Sequence, residues 1–128
     1  MDVCVPVSRL PELVYMAKEE FQKAGLTAPI LGHVGDGNFH AFVMHANEDE
    51  YARVKTTADR IVEKAIELEG TCTGEHGVGI RKKKYLEREL GTGTVEMMRK
   101  IKDLFDPLGL FNPGKLYPDV DDTESKKV

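Results

Sequence analysis

Nine consecutive residues constrain this chain more than any others: Gly32-His33-Val34-Gly35-Asp36-Gly37-Asn38-Phe39-His40. Asp36-Gly37 is a dipeptide favoured in two-residue hairpin turns, whose central positions need positive φ. A turn there predicts two strands within residues 28–44, with Gly35 opposite Asn38, Val34 opposite Phe39 and His33 opposite His40. Directly opposed side chains share a face, their Cβ atoms about 4.5–5.5 Å apart. Two imidazoles so placed could clamp one metal ion. A helical pair would need a spacing of three or four, and these are seven apart. The pair is equally compatible with ordinary sheet residues. As a dinucleotide loop the segment fails, because after Gly35 and Gly37 the third glycine position holds His40 and no βαβ context follows. Asp36 is a turn former before it is a ligand.

The flanking sequence places this hairpin in an α+β domain. Residues 2–7 are β-branched and alternating, which predicts an opening strand. Ser8 is the expected helix cap and Pro11 suits a first turn; Leu13, Ala17, Phe21 and Ala24 then mark one face until Gly25 stops it. Asn47 with Glu50 is a capping pair for a long helix striped by Tyr51, Val54, Ala58, Ile61, Ala65 and Leu68, ended by Gly70. A basic helix is expected over about 81–90 and another over about 94–105, with Val95, Met98, Ile101 and Phe105 as its apolar stripe and Asp106-Pro107 as its break. This order predicts a largely antiparallel sheet with helices on one face. At 128 residues the chain is expected to form one domain over 1–118, followed by a charged, disordered tail at 119–128.

Composition narrows the partners. A net charge of −4 offers no basic field for nucleic acid. No apolar run reaches the roughly 20 residues of a membrane span, and the opening residues are not expected to act as a charged-then-apolar leader. Cys4 and Cys72 lie far apart without CxxC spacing, which suits free thiols.

A second glycine-rich stretch, Thr71-Cys72-Thr73-Gly74-Glu75-His76-Gly77-Val78-Gly79, sets an acid beside an imidazole. In an extended segment the two would point to opposite sides, one toward a metal and its neighbour toward a substrate. His33, His40 and Glu75 together make a His₂-carboxylate set with coordination positions left open, and His76 would be a proton acceptor beside it. A solvated loop is the bland alternative for a Glu-His pair alone, and a metal-activated water for hydrolysis is another use of the same set. His45 is read as a surface residue, Cys72 as a small buried one, and Arg81–Lys84 as a solvated face with Lys82 able to reach an anion.

Three motifs in order, His33-Val-Gly-Asp-Gly-Asn-Phe-His40, Gly74-Glu-His-Gly-Val-Gly79 and Phe111-Asn-Pro-Gly-Lys115, resemble the C-terminal domain of FAD-linked oxidases of the vanillyl-alcohol oxidase type. That family includes D-lactate dehydrogenase (cytochrome), glycolate oxidase and D-2-hydroxyglutarate dehydrogenase. The version Gly70-Thr-Cys-Thr-Gly-Glu-His-Gly77 is most similar to the D-lactate branch. D-2-hydroxyglutarate enzymes tend to carry Asn where this chain has Phe42, a residue expected to share a face with His40 and to disfavour a second carboxylate. Relatives often have Gly where this chain has Arg81. The resemblance implies His33, His40 and Glu75 as ligands of a divalent metal, Zn²⁺ or Mn²⁺, and His76 as the catalytic base for a D-2-hydroxy acid. It further implies hydride transfer to FAD, an electron acceptor such as cytochrome c, and Asn112 and Lys115 near the flavin. It implies a mitochondrial location in a eukaryote, or a cytoplasmic or membrane-associated one otherwise. Because the family holds FAD mainly through another domain, the isolated chain is expected to be inactive. A truncated metal- or partner-binding module and a glycolate or D-2-hydroxyglutarate enzyme remain the alternatives.

Overall fold

The computed structural model describes residues 1–118, so the expected tail at 119–128 lies outside the described residues. The described residues divide into two compact units, one over Met1–Gly77 and the other beginning at Val78.

In the first unit, strands β1 (Asp2–Cys4), β2 (Ile30–His33) and β3 (Asn38–Ala41) form an antiparallel sheet in the order β1-β3-β2. Alternation along β3 divides its duties. Phe39 and Ala41, with Val3 of β1, turn into the core, while Asn38 and His40 turn to the other face. Helix α1 (Leu10–Lys23) contributes Leu10, Leu13, Ala17 and Phe21 to that core, and α2 (Glu48–Glu67) contributes Thr57, Ile61, Val62 and Ala65. The fold is therefore α+β with an antiparallel sheet, as expected. The two helices are also pinned at their surfaces. Arg53 donates to the Ala24 carbonyl at 2.9 Å, and Arg60 meets Glu20 at 3.1 Å. The Arg60 hydrogen bond, followed by that of Lys23, holds the Glu20 carboxyl below the usual carboxylate range.

Several local expectations need correction. The opening strand ends at Cys4, because Pro6 cannot donate to a ladder and Val7–Arg9 form a 3₁₀ turn. Ser8 lies inside that turn and caps nothing; Arg9 occupies the N-cap position of α1 without a side-chain cap. The α1 terminus behaves as expected at Gly25, whose φ is +67°. Leu26 N–H reaches the Phe21 carbonyl and Gly25 N–H that of Gln22, a Schellman closure sealed by the buried Leu26 and Phe21 side chains.

The end of α2 repeats that closure with a different residue in the left-handed position. Gly70 N–H bonds to Ala65 and Glu69 N–H to Ile66, so Glu69, with φ +63°, holds the place a glycine usually takes. Gly70 is required for space: a Cβ there would stand 2.2 Å from the Cys4 carbonyl oxygen. At the other end of α2, Asn47 Oδ1 accepts Glu50 N–H at 2.9 Å, as the capping pair predicts. The Glu50 carboxylate reaches back to Ala46 N–H, one residue earlier than in the usual reciprocal box. Tyr51 is exposed and Val54 and Ala58 are half-buried, so the working stripe of α2 begins at Thr57.

In the second unit the expected basic helix is a 3₁₀ turn at Lys83–Tyr85 followed by the short α3 (Leu86–Leu90), packed against α4 (Thr92–Phe105). The α4 stripe forms, but only Val95 is buried. Ile101 and Phe105 are 51% and 79% exposed, and Leu104, Leu108, Leu110 and Phe111 stand out beside them. Periodicity reported the stripe correctly and could not report what covers it.

Two substitutions test these backbone assignments. Glu69→Gly is expected to stabilise the first unit by about 0.5–1 kcal/mol by relieving a left-handed residue. Gly37→Ala, whose Cβ would meet the Val5 carbonyl oxygen at 2.1 Å at φ +75°, is expected to cost at least about 2 kcal/mol. Urea denaturation of both variants checks the signs.

Candidate metal centre

The hairpin that carries the histidines is built differently from the two-residue turn. His33 pairs with Asn38, Gly32 with Phe39, Leu31 with His40 and Ile30 with Ala41. Residues Val34–Asp36 form a 3₁₀ turn and Gly37 closes it in the left-handed region, which makes a four-residue connection. Two contacts explain the shift. Val5 N–H bonds to the Gly37 carbonyl, drawing Gly37 against the strand side of the loop. The buried Asn38 side chain accepts His33 N–H at 3.1 Å and ties the ends of the loop. Because the register moves by two residues, His33 and His40 become diagonal rather than opposed neighbours, yet they stay on the same face. Their ring centroids are 5.8 Å apart.

Glu75 reaches this face through the end of α2. Beyond Gly70 the chain runs beside β1, where Thr71 and Cys4 exchange backbone hydrogen bonds. It then bends around Asp2. One carboxylate oxygen of Asp2, Oδ2, accepts the N–H groups of Gly74, Glu75 and His76 at 2.7, 2.9 and 3.3 Å. The segment is therefore not extended, and Glu75 and His76 do not point to opposite sides. Their side chains lie 3.6 Å apart, from Glu75 Oε1 to His76 Nε2. Gly74 is needed at the bend, since a Cβ would come 2.9 Å from Asp2 Oδ2.

Glu75 sits among three imidazoles. Its Oε1 lies 3.3 Å from His40 Nε2 and its Oε2 lies 3.6 Å from His33 Nε2. His40 and His76 rings are 5.2 Å apart. Tetrahedral bonds of about 2.0–2.1 Å would set ligand atoms roughly 3.3 Å from one another. One donor atom from each of His33, His40 and Glu75 lies within 4.8 Å of the other two, so the set suits a divalent ion once the side chains close in. A second grouping, Asp2 with His40 and His76, also brings its donor atoms within 4.8 Å. Its Asp2 oxygen is already engaged by three N–H groups, which makes the first set the better cage.

Asp2 is the residue that sequence reasoning missed. The available signal was an acid at the start of a β-branched strand, but alternation sets it on the face opposite Val3 and gives no sign of its burial. His45 is exposed, its ring tilted against that of Tyr51 with centroids 5.1 Å apart, and Cys72 is fully buried, both as expected. Cys4 is a free thiol whose pKa is pushed up by burial and then by Asp36. Leu31 and Phe42, both exposed, flank His40 on its face; Phe42 continues the ladder through its N–H to the Pro29 carbonyl.

Asn112 and Lys115 belong to the second unit and come together there, Lys115 Nζ lying 3.3 Å from Asn112 Oδ1. Both line a cleft of about 550 Å³ with Lys102, Phe105, Asp106, Phe111 and Tyr117. Asp106 organises its floor, accepting Leu110 and Phe111 N–H at 2.9 Å each, and it pairs with Lys102. The Lys102 ammonium, followed by those two amides, holds its carboxyl below the usual aspartate range.

Comparison with known proteins gives the family. The family model for FAD linked oxidases, C-terminal domain, matches residues 1–116. The chain belongs to that family. It is 47% identical over 116 residues to D-lactate dehydrogenase (cytochrome) 1, mitochondrial, of Saccharomyces cerevisiae, covering 91% of this chain and 20% of the relative. It is 45% identical to a probable mitochondrial D-lactate dehydrogenase of Danio rerio, covering 90% of this chain and 24% of that protein. Glycolate oxidase subunit GlcD of Bacillus subtilis is 41% identical, with coverages of 91% and 25%. The chain thus spans about a fifth to a quarter of the length of these relatives. No helix among the described residues is long and apolar enough to cross a membrane.

His33→Ala and His40→Ala are each expected to weaken Co²⁺ or Zn²⁺ binding by the chain at least about 100-fold, with chelator competition as the measurement. His45→Ala should leave it unchanged. For Asp106, a depressed folded-state pKa means its contribution is present above the unfolded value and lost as pH falls through the folded one. The Tm difference between wild type and Asp106→Asn should therefore shrink as the pH drops below about 4.

Proposed function

We propose that residues 1–118 are the substrate- and metal-binding C-terminal domain of an FAD-dependent D-2-hydroxy acid dehydrogenase, with D-lactate as the substrate. The convergence of His33, His40 and His76 on Glu75 carries this reading. A bound divalent ion, Zn²⁺ or Mn²⁺, would polarise the 2-hydroxyl oxygen, and FAD would accept the hydride from C2. The remaining roles belong to the chain itself. His33 and His40 would hold the ion through ring nitrogens and Glu75 through a carboxylate oxygen, leaving room for a substrate oxygen. His76, beside Glu75 and more than half exposed, takes the hydroxyl proton as the 2-oxo acid forms.

Leu31 and Phe42 would favour a small apolar substituent over a second carboxylate, which supports D-lactate over D-2-hydroxyglutarate. Asn112 and Lys115 would face the flavin from their cleft, where ammonium, amide and aromatic groups suit a planar anionic cofactor. The exposed apolar run from Ile101 to Phe111 supports packing against a further portion of such an enzyme. In the whole enzyme the electrons would pass to an acceptor such as cytochrome c, in mitochondria as the names of several relatives indicate.

Glycolate is the second reading, favoured by the glycolate oxidase relative. Assays with D-lactate, glycolate and D-2-hydroxyglutarate on a flavin-loaded enzyme carrying this segment decide the substrate. In that enzyme His76→Ala should lower turnover at least about 100-fold while metal content is retained; unchanged turnover would remove the proposed base. The 128-residue chain alone should show no D-lactate-dependent dye reduction. If it does, the division of labour proposed here is wrong.

A further inference from the structure

We infer that Asp2 is a positioning residue that selects the His76 tautomer with its proton on Nδ1 and its lone pair on Nε2. The inference builds on the reading of His76 as a proton acceptor, because only an imidazole with a free Nε2 can take a proton from the metal side. His76 stands between two carboxylates at equal distance. Asp2 Oδ2 is 3.6 Å from Nδ1, and Glu75 Oε1 is 3.6 Å from Nε2. Distance alone therefore does not choose which nitrogen carries the single proton of the neutral ring.

Burial chooses. The Asp2 side chain is 4% exposed, whereas that of Glu75 is 44% exposed. A charge in a low-dielectric setting acts more strongly over the same separation than one facing water. Asp2 also has little freedom to move away. Its Oδ2 is held by three successive N–H groups from residues 74–76, and those same bonds anchor the His76 backbone. One oxygen thus sets where the imidazole starts and which of its nitrogens faces a negative charge. Glu75 opposes this choice only while its own charge is unshared, so a cation bound by Glu75 should strengthen the Asp2 preference.

The test reads the tautomer directly, on the metal-free full chain and without turnover. Long-range ¹H–¹⁵N correlation spectra in alkaline buffer distinguish protonated from unprotonated ring nitrogens. Wild type should show His76 predominantly in the Nδ1–H form. Asp2→Asn keeps an oxygen to accept the 74–76 amides but removes the charge, so the exposed Glu75 should then draw the proton to Nε2. The ratio should change at least about tenfold. Glu75→Gln, with Asp2 intact, should stay in the Nδ1–H form. A wild-type spectrum dominated by Nε2–H overturns the inference even if Asp2→Asn does not fold, and so does an unchanged ratio in a folded Asp2→Asn. Failure of the base assignment would appear instead in His76→Ala turnover, so the two results separate.

Discussion

The first unit depends on one buried carboxylate. Asp2 sits in a strand whose neighbours form the core, and burying such a charge is costly unless it is fully hydrogen-bonded. Three consecutive amides meet that requirement, and in doing so they bend residues 74–76 over the sheet. The bend delivers Glu75 to His33 and His40. A cost incurred at one end of the chain therefore shapes a cage whose parts are scattered over more than forty positions of sequence.

Around that interaction the sheet works as a partition. On one side Val3, Phe39 and Ala41 close on α1 and α2; on the other stand Asp2, Asn38 and His40. β1 and β3 thus each supply a hydrophobic anchor and a functional group in adjacent residues, Val3 beside Asp2 and Phe39 beside His40. The anchoring side is buried, which holds the ligand side in register.

Helix ends illustrate how far local signals reach. Gly25 does what a terminal glycine is expected to do. Gly70 appears to the eye as the same signal, yet the left-handed residue there is Glu69, and Gly70 is small because the Cys4 carbonyl lies against it. A local pattern identified where the helix stops but not why. The α4 stripe shows the same limit, since Ile101 and Phe105 are correctly periodic but remain exposed.

By itself the sequence determined the α+β class, the positions of α1, α2 and α4, and the shared face of His33 and His40. These follow from period and parity: a slip of two residues in the hairpin preserves which side a side chain occupies. The motif residues also sufficed to identify the family. Tertiary structure decided the hairpin register, the bend that sets Glu75 and His76 together, and the part played by Asp2. Each of those rests on hydrogen bonds between distant segments, Val5 with Gly37 and Asp2 with residues 74–76. Neither local propensity nor spacing encodes such partners, because the energy that selects them exists only once the strands have come together.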